Sequence, residues 1–131
     1  MSTINHKIII ENATPKQIYH GLLNSEMHAK FTGGKAEITG RMGDSFTAWD
    51  GYITGKNIEL KKDAEIVQEW QNSDWPAGAP PSIVTFTLKK NAAGTQILFK
   101  QTNVPATLVK ALDKGWQDFY WTPMQKYFGK N

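Results

Sequence analysis

Residues 115–128 read Gly-Trp-Gln-Asp-Phe-Tyr-Trp-Thr-Pro-Met-Gln-Lys-Tyr-Phe, and seven of those fourteen are aromatic or Met. A helix this rich in large apolar side chains has to be covered by the rest of its chain. At about 100° per residue, Leu108, Leu112, Trp116, Phe119, Pro123 and Tyr127 share one broad face. Val109, Tyr120 and Met124 widen it, while Lys110, Lys114, Gln117, Asp118 and Gln125 lie away from it. Trp121 falls nearly opposite Leu112, among the polar residues. Pro123 has no N–H to give, so a bend is expected near Phe119.

The preceding chain supplies the cover. Residues 4–11 alternate as a strand, with Ile4, His6, Ile8 and Ile10 on one side. Thr14-Pro15-Lys16-Gln17 is a capping box with Pro at the first helical position. A short helix should follow with Ile18 and Leu22 inward, then a second, capped by Ser25, with Met27 and Phe31 four apart. From residue 36 the texture is β. Strands are expected at 36–39, 45–49, 52–54, 58–62, 65–71, 82–89 and 95–101. Asp50-Gly51 signals a hairpin, Gly55-Lys-Asn57 a turn, and 73–81 a loop. The order is strand, two short helices, consecutive strands and one long helix. That describes an α+β helix-grip fold, in which a curved antiparallel sheet of about six or seven strands holds the C-terminal helix.

A chain of 131 residues is one domain, 1–131. There is no Cys, so thiolate chemistry and disulfides are excluded. The N-terminal residues show no signal-peptide core, and no stretch reaches the length of a membrane span, so a soluble, cytoplasmic protein is expected. The net charge is +3, with one arginine, Arg41, and lysines scattered among acids. A nucleic-acid binder would show a basic stripe and several arginines. His6, His20 and His28 have no metal-ligand spacing, and no nucleophile-elbow or phosphate-loop motif is present. No metal, cofactor or catalytic residue is expected, and the chain reads as a non-enzyme.

Several features together resemble the activator of Hsp90 ATPase homologue family. They are Thr14-Pro15, Gly51-x-x-x-Gly55, Glu69-Trp70 before Trp75-Pro76, and Thr85 with Thr87 on one strand. Val104-Pro105 and the pattern of Gly115, Trp116, Phe119 and Tyr120 in the last helix complete the set, over residues 4–129. The likeness is to the C-terminal domain of that co-chaperone, within the START/SRPBCC superfamily of Bet v 1-like helix-grip proteins. The eukaryotic co-chaperone also has a separate N-terminal domain, for which these residues leave no room. The resemblance implies an Hsp90-type chaperone as partner, a small hydrophobic ligand between sheet and helix, or both, in a monomer or weak dimer. A filled core would favour the protein-binding alternative, and an enzyme would need convergent ionisable groups in the cavity.

Candidate pocket residues are the inward side chains. Phe31 comes from the second short helix, and Phe46, Gln68, Trp70, Phe86 and Phe99 come from strands. Trp116, Phe119, Tyr120 and Met124 come from the long helix. His6, Gln68 and Gln101 share faces with apolar neighbours, so each needs a partner in the core or a ligand to orient. Trp121, expected on the polar face, is the candidate partner contact.

Overall fold

A computed structural model of the chain describes residues 2–129. Met1, Lys130 and Asn131, the ends of the single domain read from the sequence, lie outside the described residues. The first strand, β1, is Ser2–Glu11, followed by helices α1 (Pro15–Leu23) and α2 (Ser25–Thr32). Then come β2 (Ser45–Ala48), β3 (Ile53–Lys61), β4 (Glu65–Asn72), β5 (Ser82–Asn91) and β6 (Gly94–Val104). The last helical run begins with a 3-10 turn, Ala106–Leu108, and continues through α3 (Val109–Trp116), a π-helical turn (Gln117–Trp121) and α4 (Thr122–Phe128). The six strands form one antiparallel sheet in the order β1-β6-β5-β4-β3-β2. Only β1 pairs out of sequence, lying beside β6.

Local chemistry explains most boundaries. Thr14 caps α1 through a full capping box with Gln17, and Pro15 opens the helix. The cap of α2 is Asn24, not Ser25: the Asn24 side chain accepts from the Met27 N–H at 3.0 Å. Ser25 is thereby freed to exchange hydrogen bonds with the Ile38 backbone. That contact holds residues 36–39 against α2, and they make a single bridge, Glu37 to Thr47, rather than the expected strand. Gly55-Lys-Asn57 does not turn. It lies inside β3, which runs on with a register shift between Asn57 and Glu59. Phe46 on β2 stands opposite Gly55, where a neighbour without a side chain leaves room for its ring.

Alternation is cleanest in the middle of the sheet, where β4 along its length and β5 as far as Leu88 bury every second residue. Ile66, Trp70, Val84, Phe86, Ile97 and Phe99 form the gripping face. Ile18 and Leu22 of α1 and Phe31 of α2 close one end of the same core.

The long helix departs from a regular wheel. Leu112, Trp116, Tyr120 and Met124 are buried as expected, but so is Trp121, at 1% exposure. Phe119 and Tyr127, expected on the inner face, are 55% and 37% exposed. The cause is the π-turn, in which the Thr122 N–H bonds the Gln117 carbonyl five residues back. One extra residue in that turn advances the phase by one position. Trp121 is carried from the polar face to the core, and Phe119 is carried out. The irregularity expected from Pro123 takes this form, and Pro123 then sits in the first turn of α4, where its missing N–H is tolerated. Trp121 therefore has no surface to offer a partner. Its ring packs on Phe86, Phe99 and Trp116.

Trp121→Ala is expected to cost about 3–5 kcal/mol, read from urea unfolding curves. A loss within about 0.5 kcal/mol, the range of surface substitutions, would contradict the burial.

A cavity between the helix and the β2–β4 end of the sheet

The buried polar side chains are held by one another. Gln68 donates to the Asn57 Oδ1 at 3.0 Å, and Asn57 in turn donates to the carbonyls of Thr39 and Arg41. Gln101 is fully buried: its amide donates to Ser82 Oγ at 2.9 Å, and Ser82 donates to the Trp70 carbonyl at 2.7 Å. The Gln101 carbonyl accepts from the Trp116 indole N–H at 2.9 Å. Gln101 thus positions Trp116 rather than presenting a free group. His6 is partly buried at the edge of the core. Its Nδ1 accepts from the Trp121 indole N–H at 2.9 Å, so its proton sits on Nε2, which donates to Asp113 at 2.7 Å. Among the described residues no buried side-chain nitrogen or oxygen lacks a partner.

The sequence pattern gave no reason to single out His28. It is 4% exposed. Its Nδ1–H donates to the Leu22 carbonyl at 3.2 Å, and its Nε2 accepts from the Tyr120 hydroxyl at 2.9 Å. Burial lowers the His28 imidazole to about 4 from its ordinary 6.5. Burial also raises the Tyr120 hydroxyl above its ordinary range. This pair ties α2 to the π-turn.

Beyond these groups a cavity of about 340 Å³ opens between α3 and the β2–β4 end of the sheet. Trp70 and Trp116, with ring centroids 5.4 Å apart, line it together with Tyr120, Leu112 and Ile53. Gly115 faces it, and a Cβ there would meet nothing closer than the Phe119 ring at 3.8 Å. The glycine leaves space rather than admitting a close neighbour. At the mouth, Trp49 and Phe119 meet edge to face, with centroids 5.5 Å apart and planes at 71°. Tyr52 and Asp74 complete the rim, and the Tyr52 hydroxyl donates to Asp74 Oδ2 at 2.6 Å. That hydrogen bond, with burial and the carboxylate charge, pushes the Tyr52 hydroxyl up to about 12.

Four of the expected pocket residues, Trp70, Trp116, Phe119 and Tyr120, line this cavity. Phe119 does so from the exposed rim. Phe31, Phe46, Phe86, Phe99 and Met124 are packed in the core instead, as are Gln68 and Gln101. His6 lies at the opposite side of the helix, on Trp121 and Asp113.

Trp49, Tyr52 and Asp74 were missed because they stand in turns. Trp49, Asp50 and Gly51 have φ of 51°, 59° and 92°, three left-handed residues in succession. A bulky residue in that region is a genuine outlier. Two features hold it. Asp50 exchanges hydrogen bonds with the Lys35 backbone. Gly34 lies under the Trp49 ring, where a Cβ would come within 2.8 Å of the indole. The Asp50-Gly51 hairpin signal was visible in the sequence, but the direction of the neighbouring ring was not.

The model of the family described as "Activator of Hsp90 ATPase homolog 1-like protein" matches residues 12–129. The chain belongs to that family. It is 26% identical over 116 residues to the activator of 90 kDa heat shock protein ATPase homolog 1 of Homo sapiens, covering 88% of this chain and 34% of that protein. An uncharacterised protein of Schizosaccharomyces pombe is 26% identical over 132 residues, 98% of this chain and 39% of that one. The chain therefore spans little more than a third of the curated relatives it matches.

The crystal structure of an HSP90 activator from Plasmodium falciparum gives a TM-score of 0.83 at 20% identity, over 98% of this chain and 95% of that one. The solution structure of the Aha1 dimer from Colwellia psychrerythraea gives 0.78 at 21% identity, over 93% and 92%. At such identities the likeness establishes the helix-grip fold. Among the described residues no group of three or more His, Asp or Glu could hold a metal ion. Among the described residues no helix is long and apolar enough to cross a membrane.

Two outcomes follow for the buried polar groups. Gln101→Leu orphans the Trp116 indole N–H and should cost about 1–3 kcal/mol in urea unfolding. His28 takes up a proton at about 6.5 when unfolded but only near 4 when folded. Its contribution is complete above pH 6.5 and is lost as the pH falls towards 4. Between pH 7 and 4 the wild type should lose about 3 kcal/mol more than His28→Gln, measured as the difference between their denaturation midpoints at the two pH values. Equal losses would remove His28 as the cause.

Proposed function

We propose that this chain is a non-enzymatic binding domain of the Hsp90-activator type, which takes a small apolar molecule between its long helix and the β2–β4 end of its sheet. The observation that carries this reading is the cavity of about 340 Å³ with its floor of Trp70, Trp116 and Tyr120. Its size lies at the lower end of the range for small-molecule sites, and an apolar wall with a few polar groups at one end is their usual make-up. The non-enzymatic part is supported by the hydrogen bonds. Gln68, Gln101, His6 and His28 are all engaged by protein groups. Among the described residues the lining holds no His, Lys or Cys to work with Asp74.

Family membership favours a second role, contact with an Hsp90-type chaperone, which implies a cytoplasmic setting. The two roles are compatible, because the cavity occupies one end of the molecule. Most of the core under the helix is filled by side chains.

A native mass spectrum of freshly purified protein tests the first role. An adduct of roughly a few hundred daltons, the size such a cavity admits, should be present and should vanish on denaturation. Gly115→Leu fills the cavity from a helical position with open space in front of it, so it should abolish the adduct while leaving the fold intact. An apo mass, together with no response to an added apolar fluorophore, would sink the ligand reading. The chaperone role is tested by adding the domain to an Hsp90-type ATPase. Stimulation or direct binding is expected, and the absence of both would remove that role.

A further inference from the structure

We propose that the cavity selects a cation: an amine or quaternary ammonium whose apolar body enters between the rings and whose positive centre rests at the mouth beside Asp74. This rests on the reading of the cavity as a ligand site and names the class of ligand. Six of the thirteen lining residues are aromatic: Trp49, Tyr52, Trp70, Trp116, Phe119 and Tyr120. Aromatic faces are electron-rich and attract cations, most strongly where water is excluded. Among the described lining residues the one acidic or basic side chain is the Asp74 carboxylate, and none is Lys, Arg or His. An anion would meet a negative charge at the mouth and no basic side chain among the described lining residues.

The carboxylate is held and left unneutralised. Tyr52 donates to Asp74 Oδ2, and the Asp74 backbone N–H donates to Asn72 Oδ1 at 2.9 Å. Both partners are themselves lining residues, so the charge is fixed relative to the rings. Among the described residues nothing bonds Asp74 Oδ1, and no basic side chain pairs with this carboxylate. This occurs on a chain with fifteen Lys and Arg against twelve Asp and Glu. The local sign of the mouth is therefore opposite to that of the whole protein.

The two rim rings point the same way. Trp49 is placed by a left-handed backbone, and Phe119 is turned outward by the π-turn. Backbone strain of this kind concentrates at ligand clamps. Here two irregular segments from opposite sides of the cavity bring two large rings into edge contact at its mouth. A cation resting at the mouth beside this ring pair gains an aromatic surface and the free Asp74 oxygen.

Three probes of equal shape separate the possibilities: benzyltrimethylammonium, its uncharged isostere neopentylbenzene, and the anion phenylmethanesulfonate. Binding is read from the emission of Trp49, Trp70 and Trp116 in the wall. The ammonium should bind about tenfold more tightly than the isostere, and its affinity should fall as salt is raised. Asp74→Asn, at an exposed position that does not threaten the fold, should weaken the ammonium at least about threefold and leave the isostere unchanged. Tyr52→Phe frees the carboxylate and should keep or strengthen ammonium binding.

Equal affinity for ammonium and isostere, indifference to Asp74→Asn, or preference for the anion would overturn the cation proposal and leave the cavity standing as an apolar site. No binding of any probe, with no adduct in the native spectrum, would overturn both.

Discussion

Trp116 and Trp121 both have to reach the sheet, and a regular α-helix cannot present residues five apart on one narrow face. The π-turn at Gln117–Trp121 resolves this by adding one residue to a single turn. With that shift, Trp116, Tyr120, Trp121 and Met124 form one continuous buried surface against Phe86 and Phe99. The widened turn coincides with Pro123, whose missing N–H would otherwise break the ladder. The backbone irregularity and the aromatic packing are therefore one solution to one problem. The same shift expels Phe119, which becomes half of the cavity mouth.

The polar chemistry of the core follows from this placement. Each indole carries one N–H that has to be satisfied when buried. Trp116 uses Gln101, which is itself held by Ser82 and, through it, by the Trp70 carbonyl. Trp121 uses His6, held in turn by the exposed Asp113. Tyr120 uses His28. Three rings of one helix are thus pinned to β6, β1 and α2 respectively, and the hydrogen bonds give register to what apolar packing alone would leave free to slide. Orienting groups spent on rings in this way are not available to a ligand or a reaction.

The cavity lies where this packing ends. The helix contributes small or short side chains there, with Gly115 and Ala111 facing the lining, and the sheet edge is the four-residue β2 with its tight turn. The wall is made of rings because Trp70 and Trp116 are already fixed by the core, while Trp49, Tyr52 and Asp74 are added from turns. The result is a site with a rigid floor and an irregular rim.

Much of the architecture was legible in the residues. Period-two alternation in 65–71 and 82–89 gave strands, Thr14-Pro15-Lys16-Gln17 gave a helix start, and the aromatic density of 115–128 required a sheet to cover it. These are local signals, because capping and pleating depend on near neighbours. Trp70, Trp116 and Tyr120 were legible as lining for the same reason. The exposure of Phe119, the burial of Trp121 and the partners of Gln68 and Gln101 were not, since one π-turn reassigns a whole helical face without leaving a mark in composition. The rim was not legible either. Trp49 reaches it only through a left-handed turn held by Gly34 and Lys35, and Asp74 only through a loop tied to Tyr52, all distant in sequence from the residues they hold. The chain by itself determined which segments are helix or strand and that one helix must be gripped. Tertiary packing alone decided which rings fill the core and which frame a cavity, because that choice depends on volumes and hydrogen-bond partners meeting across the fold.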